Sequence, residues 1–459
     1  MNFCSRENMY ISTMIDYTLL QAVLVSIGVL LVLILRFKLP AFIALLIASI
    51  VLGMLTKLPA EAILSTLQEG MGTTLGFVAT VVGLGTLLGG LLEHSGGAEV
   101  LAHRLLSAFG EKRSSWALLC TGFILAIPVF FDVAFILLVP LVYTLQRKTG
   151  KSILTYGLPL LAGLAITHAF IPPTPGPVAV AEILSANLGW VIVYGLMVGI
   201  PTAIVSGVIY AYMISQEIHV KAPPLTEKDV KKESKVSFRQ VLFVVGLPLF
   251  LIVLTTLMNS LGWVNYWPDW LVYTFQILGH PFGALITANL VAWVILGRCQ
   301  GFSAKKLLGL ANRSMAPAGM IVLLTGAGGV FKQMLINTAA GKMIATALAN
   351  EGFPLLLFAF LAAAIIRLLQ GSATVAMITA AGLTAPLLEI SFFVPNKALL
   401  VLSIAAGASI LSHVNDSGFW LVSQYLGLNE KQTFRSWSIM TLIIAVTGFV
   451  CVSFLSNFV

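Results

Sequence analysis

The chain has 459 residues, of which 58% are hydrophobic and 10% are charged, and its formal net charge is +8 at pH 7. Soluble domains hold about 45–50% apolar and roughly 25% charged residues, and a soluble fold of ordinary size could not bury so much apolar surface. The basic residues form short clusters between long apolar runs and no basic stripe, so nucleic acid is not an expected partner. The composition predicts an all-α polytopic membrane protein that lies in a lipid bilayer.

The first half of the chain is predicted to contain five crossings and one re-entrant hairpin. An extracytoplasmic segment at 1–16 precedes apolar runs of spanning length at 17–35, 39–56 and 72–92. Residues 114–146 are apolar but broken around Pro128, and one helix of that length would overshoot a hydrocarbon core of about 30 Å. They are therefore predicted to be a hairpin of two half-helices. Residues 153–187, interrupted by a proline-rich segment, are predicted to be one broken crossing helix, and the first half ends at 214 after a last span.

The same order of elements recurs after the polar stretch 215–237, which is predicted to be a cytoplasmic linker. Spanning runs near 238–262, 270–297 and 315–335 precede a hairpin at 353–386, a broken helix at 397–425 and a last span near 438–458. Short motifs also recur at a nearly constant spacing: Gly83-Leu-Gly85 as Gly326-Ala-Gly328, and Thr167-His168 as Ser412-His413. Residues 17–214 and 238–459 are therefore predicted to be two copies of one unit.

The number of crossings and the distribution of charge predict how the two units lie in the membrane. Five crossings are an odd number, so the second unit enters upside down, as in the inverted repeats of secondary transporters. Twenty of the 26 Lys and Arg residues then fall on one side, which the positive-inside rule assigns to the cytoplasm. Both termini are predicted to lie on the opposite side.

Polar side chains concentrate at the four breaks, which we expect to meet near the middle of the membrane. Half-helix N-termini favour anions, and hydroxyl and amide groups suit a ligand with many hydroxyls. Arg367 either adds positive charge there or extends its guanidinium toward the interface. The predicted substrate-binding residues are Thr167, His168, Thr174, Arg367, Ser372, Thr374, Ser412, His413, Asn415 and Ser417.

Coupling to protons requires a group that exchanges a proton near neutral pH. His168 and His413 have a suitable intrinsic pKa, and Asp132 and Asp416 are alternatives because desolvation favours the protonated form of a carboxyl. Both histidines can equally be packing residues, and both aspartates can simply cap the half-helices that follow them. The sequence leaves open which of the four carries the proton.

The sequence contains no signature of an enzyme or of a bound cofactor. Its four cysteines include no Cys-x-x-Cys pair, and neither a P-loop nor a His-Glu-x-x-His motif occurs. We therefore expect no metal site, no cofactor and no catalytic activity.

Five motifs at the breaks and in one span resemble those of the gluconate permease (GntP) family, and the resemblance extends over the chain from about Tyr17 onward. They are Ile127–Asp132, Thr167–Pro177, Thr325–Phe331, Gln370–Val375 and Ser412–Trp420. The resemblance implies a symporter of the bacterial inner membrane that imports gluconate or a related sugar-acid anion with protons. It also implies a homodimer with an elevator-type movement, as in the ion transporter superfamily.

The resemblance leaves the exact substrate open. The proline-rich break of the family reads Pro-Pro-His-Pro, and Thr174 stands here in the place of that His. Another small carboxylate, such as D-serine or a ketohexonate, is an alternative substrate within the family. A cation/proton antiporter of the same superfamily is the less favoured alternative, because the breaks are rich in Ser, Thr, His and Asn and not in paired acids.

Overall fold

The protein is all helical over the residues that the computed structural model describes, which are 17–223, 236–263, 266–316, 318–338, 354–389, 396–414 and 416–459. Within these ranges, seven helical units are long and apolar enough to cross a membrane, and shorter apolar helices of 10–17 residues accompany them. The prediction of an all-α fold is confirmed.

Nine helices of nine or more residues lie in the described part of the first half. They are α1 (Tyr17–Leu35), α2 (Ala41–Leu55), α3 (Ala60–His94), α4 (Gly97–Phe109), α5 (Ser114–Leu125), α6 (Phe131–Thr149), α7 (Leu154–Phe170), α8 (Pro175–Ile183) and α9 (Leu188–Ile204). Pro40 and Pro59 stand at the N-caps of α2 and α3, where the missing N–H removes no intrahelical hydrogen bond. α3 therefore begins well before the run 72–92 from which it was predicted.

Ten helices of ten or more residues lie in the described part of the second half. They are α10 (Phe238–Ser260), α11 (Asp269–Gly279), α12 (Pro281–Ala292), α13 (Ala304–Met315), α14 (Ala318–Asn337), α15 (Leu355–Gln370), α16 (Ala373–Thr384), α17 (Lys397–Ala408), α18 (Ser417–Leu426) and α19 (Ile439–Leu455). The run 270–297, expected to be one span, is divided into α11 and α12. Pro281 cannot continue α11, and the His280 ring caps α12 by accepting a hydrogen bond from the Phe282 backbone N–H at 3.3 Å.

Helical segments of other types extend three of these helices. α9 continues through a π-helical segment (Val205–Tyr210) to Glu217, so the predicted linker begins inside a helix. α12 continues through another (Trp293–Gly297), and a third (Phe434–Ser438) leads into α19. Residues 224–235 of the linker and the predicted N-terminal segment 1–16 lie outside the described residues.

Each predicted hairpin is a pair of helices with a short break between them. α5 ends at Leu125 and α6 begins at Phe131, whereas Gly371 and Ser372 alone separate α15 from α16. Gly371 has a φ of 83° and its N–H bonds the carbonyl of Arg367, a helix end that glycine permits at low cost. Ser372 then caps α16. Each break therefore presents helix termini side by side.

Glycines allow each hairpin to pack closely on the neighbouring broken helix. A Cβ on Gly163 of α7 would lie 2.3 Å from the carbonyl oxygen of Leu119 in α5. A Cβ on Gly407 of α17 would lie 2.1 Å from the carbonyl oxygen of Phe360 in α15. Small residues permit such backbone contact between membrane helices. This packing fixes the breaks next to one another.

Candidate functional site

The breaks surround a cavity of about 390 Å³. Its walls come from the tip of the α5–α6 pair, from α7 and α8, from the α15–α16 break, from the α17–α18 break and from the segment that leads into α19. The polar lining residues are Asp132, His168, Arg367, Gln370, Ser372, Thr374, Ser409, Asp416, Ser417, Trp437 and Thr441. A cavity of this volume is in the range of sites for small molecules.

Four of the described helices begin at this cavity. Phe131 of α6, Gly176 of α8, Ala373 of α16 and Ser417 of α18 are all in its wall and all in the first turn of their helices. The first N–H groups of a helix have no intrahelical acceptor, and this end of the helix has a partial positive charge. The backbone therefore favours a negatively charged ligand here.

Arg367 and Asp416 form an ion pair in the wall of the cavity, with side chains that are 6% and 12% exposed. Arg367 also donates to the carbonyl of Gly371. Asp416 accepts from the Ser412 hydroxyl and, at 3.0 Å, from the backbone N–H of Gly418. Asp416 is thus the N-cap of α18, as one interpretation of the sequence expected, and the buried Arg367 does not extend toward the interface. The pair joins the α15–α16 break to the α17–α18 break.

Two buried donors next to this pair have no hydrogen-bond partner among the described residues: Nε of Arg367 and Nε2 of Gln370. An unpaired buried donor costs roughly 1–3 kcal/mol, and a ligand that supplies an acceptor removes that cost. A carboxylate has two acceptor oxygens and bonds strongly to a guanidinium. The two nitrogens and the arginine charge together form a site that suits a carboxylate.

Asp132 and His168 reach the cavity from the first half of the chain. Phe130 is the N-cap of α6, so the interpretation of Asp132 as a cap is wrong. Over the described part of the chain, Asp132 has no salt-bridge partner and Nδ1 of His168 accepts no hydrogen bond and donates none. Both side chains therefore have unused capacity to bind a proton.

Two predicted binding residues in the first half lie outside the wall of this cavity. The hydroxyl of Thr167 donates to the carbonyl of Phe123 at 2.8 Å and so ties α7 to α5. The hydroxyl of Thr174, the N-cap position of α8, donates to the carbonyl of Ile171 at 2.6 Å and is buried. In this structure both hydroxyls hold the backbone around a break.

Two predicted residues of the second half also lie outside the wall. Ser412 accepts from Nε1 of Trp437 at 2.7 Å while its own hydroxyl donates to Asp416. A ring nitrogen of His413 lies 3.0 Å from the carbonyl oxygen of Leu368 at the end of α15. Asn415 lies outside the described residues. That any of the predicted residues binds substrate stays a prediction.

Four polar residues of the wall were not predicted from the sequence. Gln370 and Ser409 stand beside predicted breaks, and that position was a signal that could have identified them. Trp437 and Thr441 lie near the start of the last helical unit, and Trp437 stands just before the predicted span 438–458. No break was predicted in this unit, so neither residue was selected.

Comparison with known proteins identifies relatives over nearly the whole chain. The profile of the GntP family permeases matches residues 18–459. A gluconate permease of Pseudomonas aeruginosa is 42% identical over 96% of this chain and 98% of that protein. The low-affinity gluconate transporter of Escherichia coli K12 is 36% identical over 94% of this chain and 97% of its own. The Gnt-II system L-idonate transporter of the same organism is 36% identical over 92% of this chain and 95% of its own.

Solved structures share the fold at low sequence identity. The YdaH transporter of Alcanivorax borkumensis has a TM-score of 0.63 and is 18% identical, over 87% of this chain and 90% of that chain. MtrF of Neisseria gonorrhoeae, from a class of antimetabolite efflux pumps, has a TM-score of 0.59 and is 15% identical, over 86% of this chain and 84% of that chain. The resemblance inferred from the motifs is confirmed, and so is the prediction of a multi-pass membrane protein of a permease family and not an enzyme.

Proposed function

The chain belongs to the GntP family of permeases, and we propose that it imports gluconate, or a closely related sugar-acid anion, together with protons. The observation that carries the proposal is the buried Arg367–Asp416 pair beside the unpartnered donors of Arg367 and Gln370. Relatives named gluconate permease and gluconate transporter support the substrate. The relative named L-idonate transporter supports a second hexonate as an alternative.

The carboxylate of the substrate would bind where the positive potential is greatest. Nε of Arg367 and Nε2 of Gln370 are donors without partners, and the N-terminus of α16 lies in the same wall. The hydroxyls of the sugar acid would then contact the hydroxyl groups of Ser372, Thr374 and Ser417. In a site closed to water, such neutral hydrogen bonds orient a ligand and discriminate among related ones.

Competition for Arg367 supplies a physical reason for coupling to protons. The substrate carboxylate and Asp416 are both acceptors for the one guanidinium. When the substrate takes part of that contact, the buried carboxylate of Asp416 loses its cation, and binding a proton removes the uncompensated charge. Anion binding and proton binding then favour each other, which is the linkage that a symporter requires. Asp132 and His168, in the same wall, are the other candidate carriers of the proton.

The proposal includes the architecture inferred from the sequence. We infer an inverted repeat of residues 17–214 and 238–459, each with five crossings, a re-entrant hairpin and a broken helix. The matched contacts of Gly163 on Leu119 and of Gly407 on Phe360 support this inference. We also infer a homodimer in the bacterial inner membrane, with the 215–237 linker in the cytoplasm, both termini outside and an elevator-type movement.

The test is uptake of labelled gluconate into proteoliposomes with and without an inward proton gradient. We expect accumulation with the gradient, competition by other hexonates, and loss of accumulation in Asp416→Asn. Uptake of D-serine or a ketohexonate but not of gluconate would change the substrate and leave the mechanism standing. If no anion enters and a cation gradient collapses instead, the antiporter alternative is correct and the proposal is wrong.

A further inference from the structure

Two smaller cavities lie next to the main one and share lining residues with it. A cavity of about 20 Å³, here called the neck, is bordered by His168 and Phe130, both of which also line the main cavity. Beyond the neck is an outer cavity of about 140 Å³, which shares Phe130 and Thr86 with the neck. The three spaces thus form a row that begins at the main cavity and passes between α3 and the tip of the α5–α6 pair.

The volume of the neck determines what can pass through it. A cavity needs at least about 10–15 Å³ to hold one water molecule, so the neck has room for a single water. It has no room for a six-carbon acid, which would need a site of several hundred cubic ångströms. In this conformation the neck therefore has room for a water between the main and outer cavities and no room for the substrate.

The neck also presents the polar groups that an ordered water requires. Nδ1 of His168 is buried without a hydrogen-bond partner among the described residues. The hydroxyls of Thr86 and Thr174 donate to the carbonyls of Gly83 and Ile171, which leaves the lone pairs of both oxygens free to accept. Buried waters are stable where two to four polar partners surround them. A water in the neck would therefore connect His168 to the hydroxyl of Thr86.

Groups that exchange or influence protons stand at both ends of the row. Glu93, His94 and Arg313 line the outer cavity, and the side chains of His94 and Arg313 are exposed. Across the main cavity, His168 shares the wall with the charged groups Asp132, Arg367 and Asp416. The distribution of basic residues in the sequence assigns the outer cavity to the cytoplasmic side.

We propose that this row is a proton route, from His168 through a water in the neck to Glu93 and His94, separate from the route of the anion. The inference rests on the proposed proton coupling. A separate route lets the proton leave on the cytoplasmic side without following the anion. Disturbing the neck should then slow net uptake, which has to release the coupled proton in each turnover. It should not slow gluconate–gluconate exchange, during which the carrier keeps its proton.

Two substitutions on α3 disturb the neck in different ways: one narrows it and the other removes a hydrogen-bond partner of the water. A methyl group at position 85, in Gly85→Ala, would lie 3.5 Å from the carbonyl oxygen of Pro173 across the neck, an ordinary contact that folding tolerates. Thr86→Val keeps the shape of the side chain and removes the hydroxyl. The matched controls on the same helix are Gly76→Ala, where a Cβ meets no atom within 4 Å, and Thr73→Val, whose exposed hydroxyl bonds the carbonyl of Glu69 at 2.8 Å.

The experiment measures three rates in the same proteoliposomes: net uptake of labelled gluconate, proton influx reported by an internal pH dye, and exchange of labelled for unlabelled gluconate. In Gly85→Ala and Thr86→Val we expect net uptake and proton influx to fall together about tenfold, as for the loss of one hydrogen-bonded step. Exchange and both controls should keep the wild-type rate.

Two results would overturn the route. If net uptake in both neck variants equals wild type, protons do not pass the neck. If exchange falls as much as net uptake, the residues act on the movement of the loaded carrier and not on protons. A wild-type protein that takes up gluconate without proton influx would instead refute the proposed coupling itself, and the route with it.

Discussion

Replacing Arg367 with glutamine should remove both transport and a large part of the stability of the protein. Arg367 and Asp416 are almost fully buried, with side chains 6% and 12% exposed. Removal of one partner from a buried pair leaves an uncompensated charge and costs about 3–5 kcal/mol. Arg367→Gln also withdraws the donor that holds the carbonyl of Gly371 at the end of α15. We therefore expect the upper part of that range.

A double-mutant cycle separates the pair from general damage to the site. Asp416→Asn keeps one acceptor oxygen, which can still accept from the backbone N–H of Gly418, whereas the oxygen that accepts from the Ser412 hydroxyl is replaced by an NH2 group. In Arg367→Gln with Asp416→Asn no charge is left unpaired, so the double variant should be more stable than the sum of the two single effects, by about 1–3 kcal/mol. Its uptake should stay absent, because the anion has lost its cation.

Unfolding of detergent-solubilised protein, followed by tryptophan fluorescence, measures the stability term, and uptake into proteoliposomes measures transport. The matched control is Arg435→Gln, which breaks the surface pair with Glu217, 53% and 59% exposed, and should cost less than about 1 kcal/mol. A loss of stability in Arg367→Gln no greater than in this control would show that the buried pair does not stabilise the fold as expected. The same would follow if the effects of the two single substitutions simply added.

Three further outcomes follow from contacts described above. Asp132→Asn should lose gradient-driven accumulation of gluconate, since Asp132 is a carboxyl of the cavity wall without a salt-bridge partner among the described residues. Full accumulation by this variant in the uptake assay would exclude Asp132 as a proton carrier. His413→Ala should insert into the membrane normally but lose accumulation of gluconate, because the His413 ring contacts the carbonyl of Leu368 beside the cavity. Membrane yield and uptake are measured together, and normal uptake would show that His413 is not required for transport. Gly163→Ala should destabilise the protein by about 1–3 kcal/mol, because the new methyl group would collide with the carbonyl oxygen of Leu119. Gly28→Ala on α1, where a Cβ meets no atom within 4 Å, should be neutral or stabilising by up to about 1 kcal/mol. Equal unfolding curves for the two variants would show that Gly163 is not needed for close packing.

The positions of the breaks were predictable because short stretches of local sequence determine them. Pro128, Gly371 and the prolines after Ile171 interrupt apolar runs that are otherwise helical, and each interruption coincides with the end of a helix. The breaks also carry polar residues that lipid would not solvate. Local signals of this kind do not depend on how the helices pack.

The contacts between breaks were not predictable, because they depend on tertiary packing. The partners of the Arg367–Asp416 pair are 49 residues apart in sequence, and nothing local specifies that they meet. The sequence also does not reveal which way a hydroxyl points. Thr167 and Thr174 donate to carbonyls of the backbone, whereas Thr374 lines the cavity. Trp437 enters the wall from the start of the last helical unit, in which no break was predicted.

The Arg367–Asp416 pair also has an electrical consequence. A unit charge that crosses the whole membrane field gains or loses about 2.3 kcal/mol for each 100 mV. The two opposite charges are in direct contact, so any displacement that carries them together moves no net charge through the field. The membrane potential therefore does no work on the pair. If the proposed coupling moves one proton with each anion, the cargo adds no net charge either, and uptake would then be driven by the difference in pH and not by the voltage.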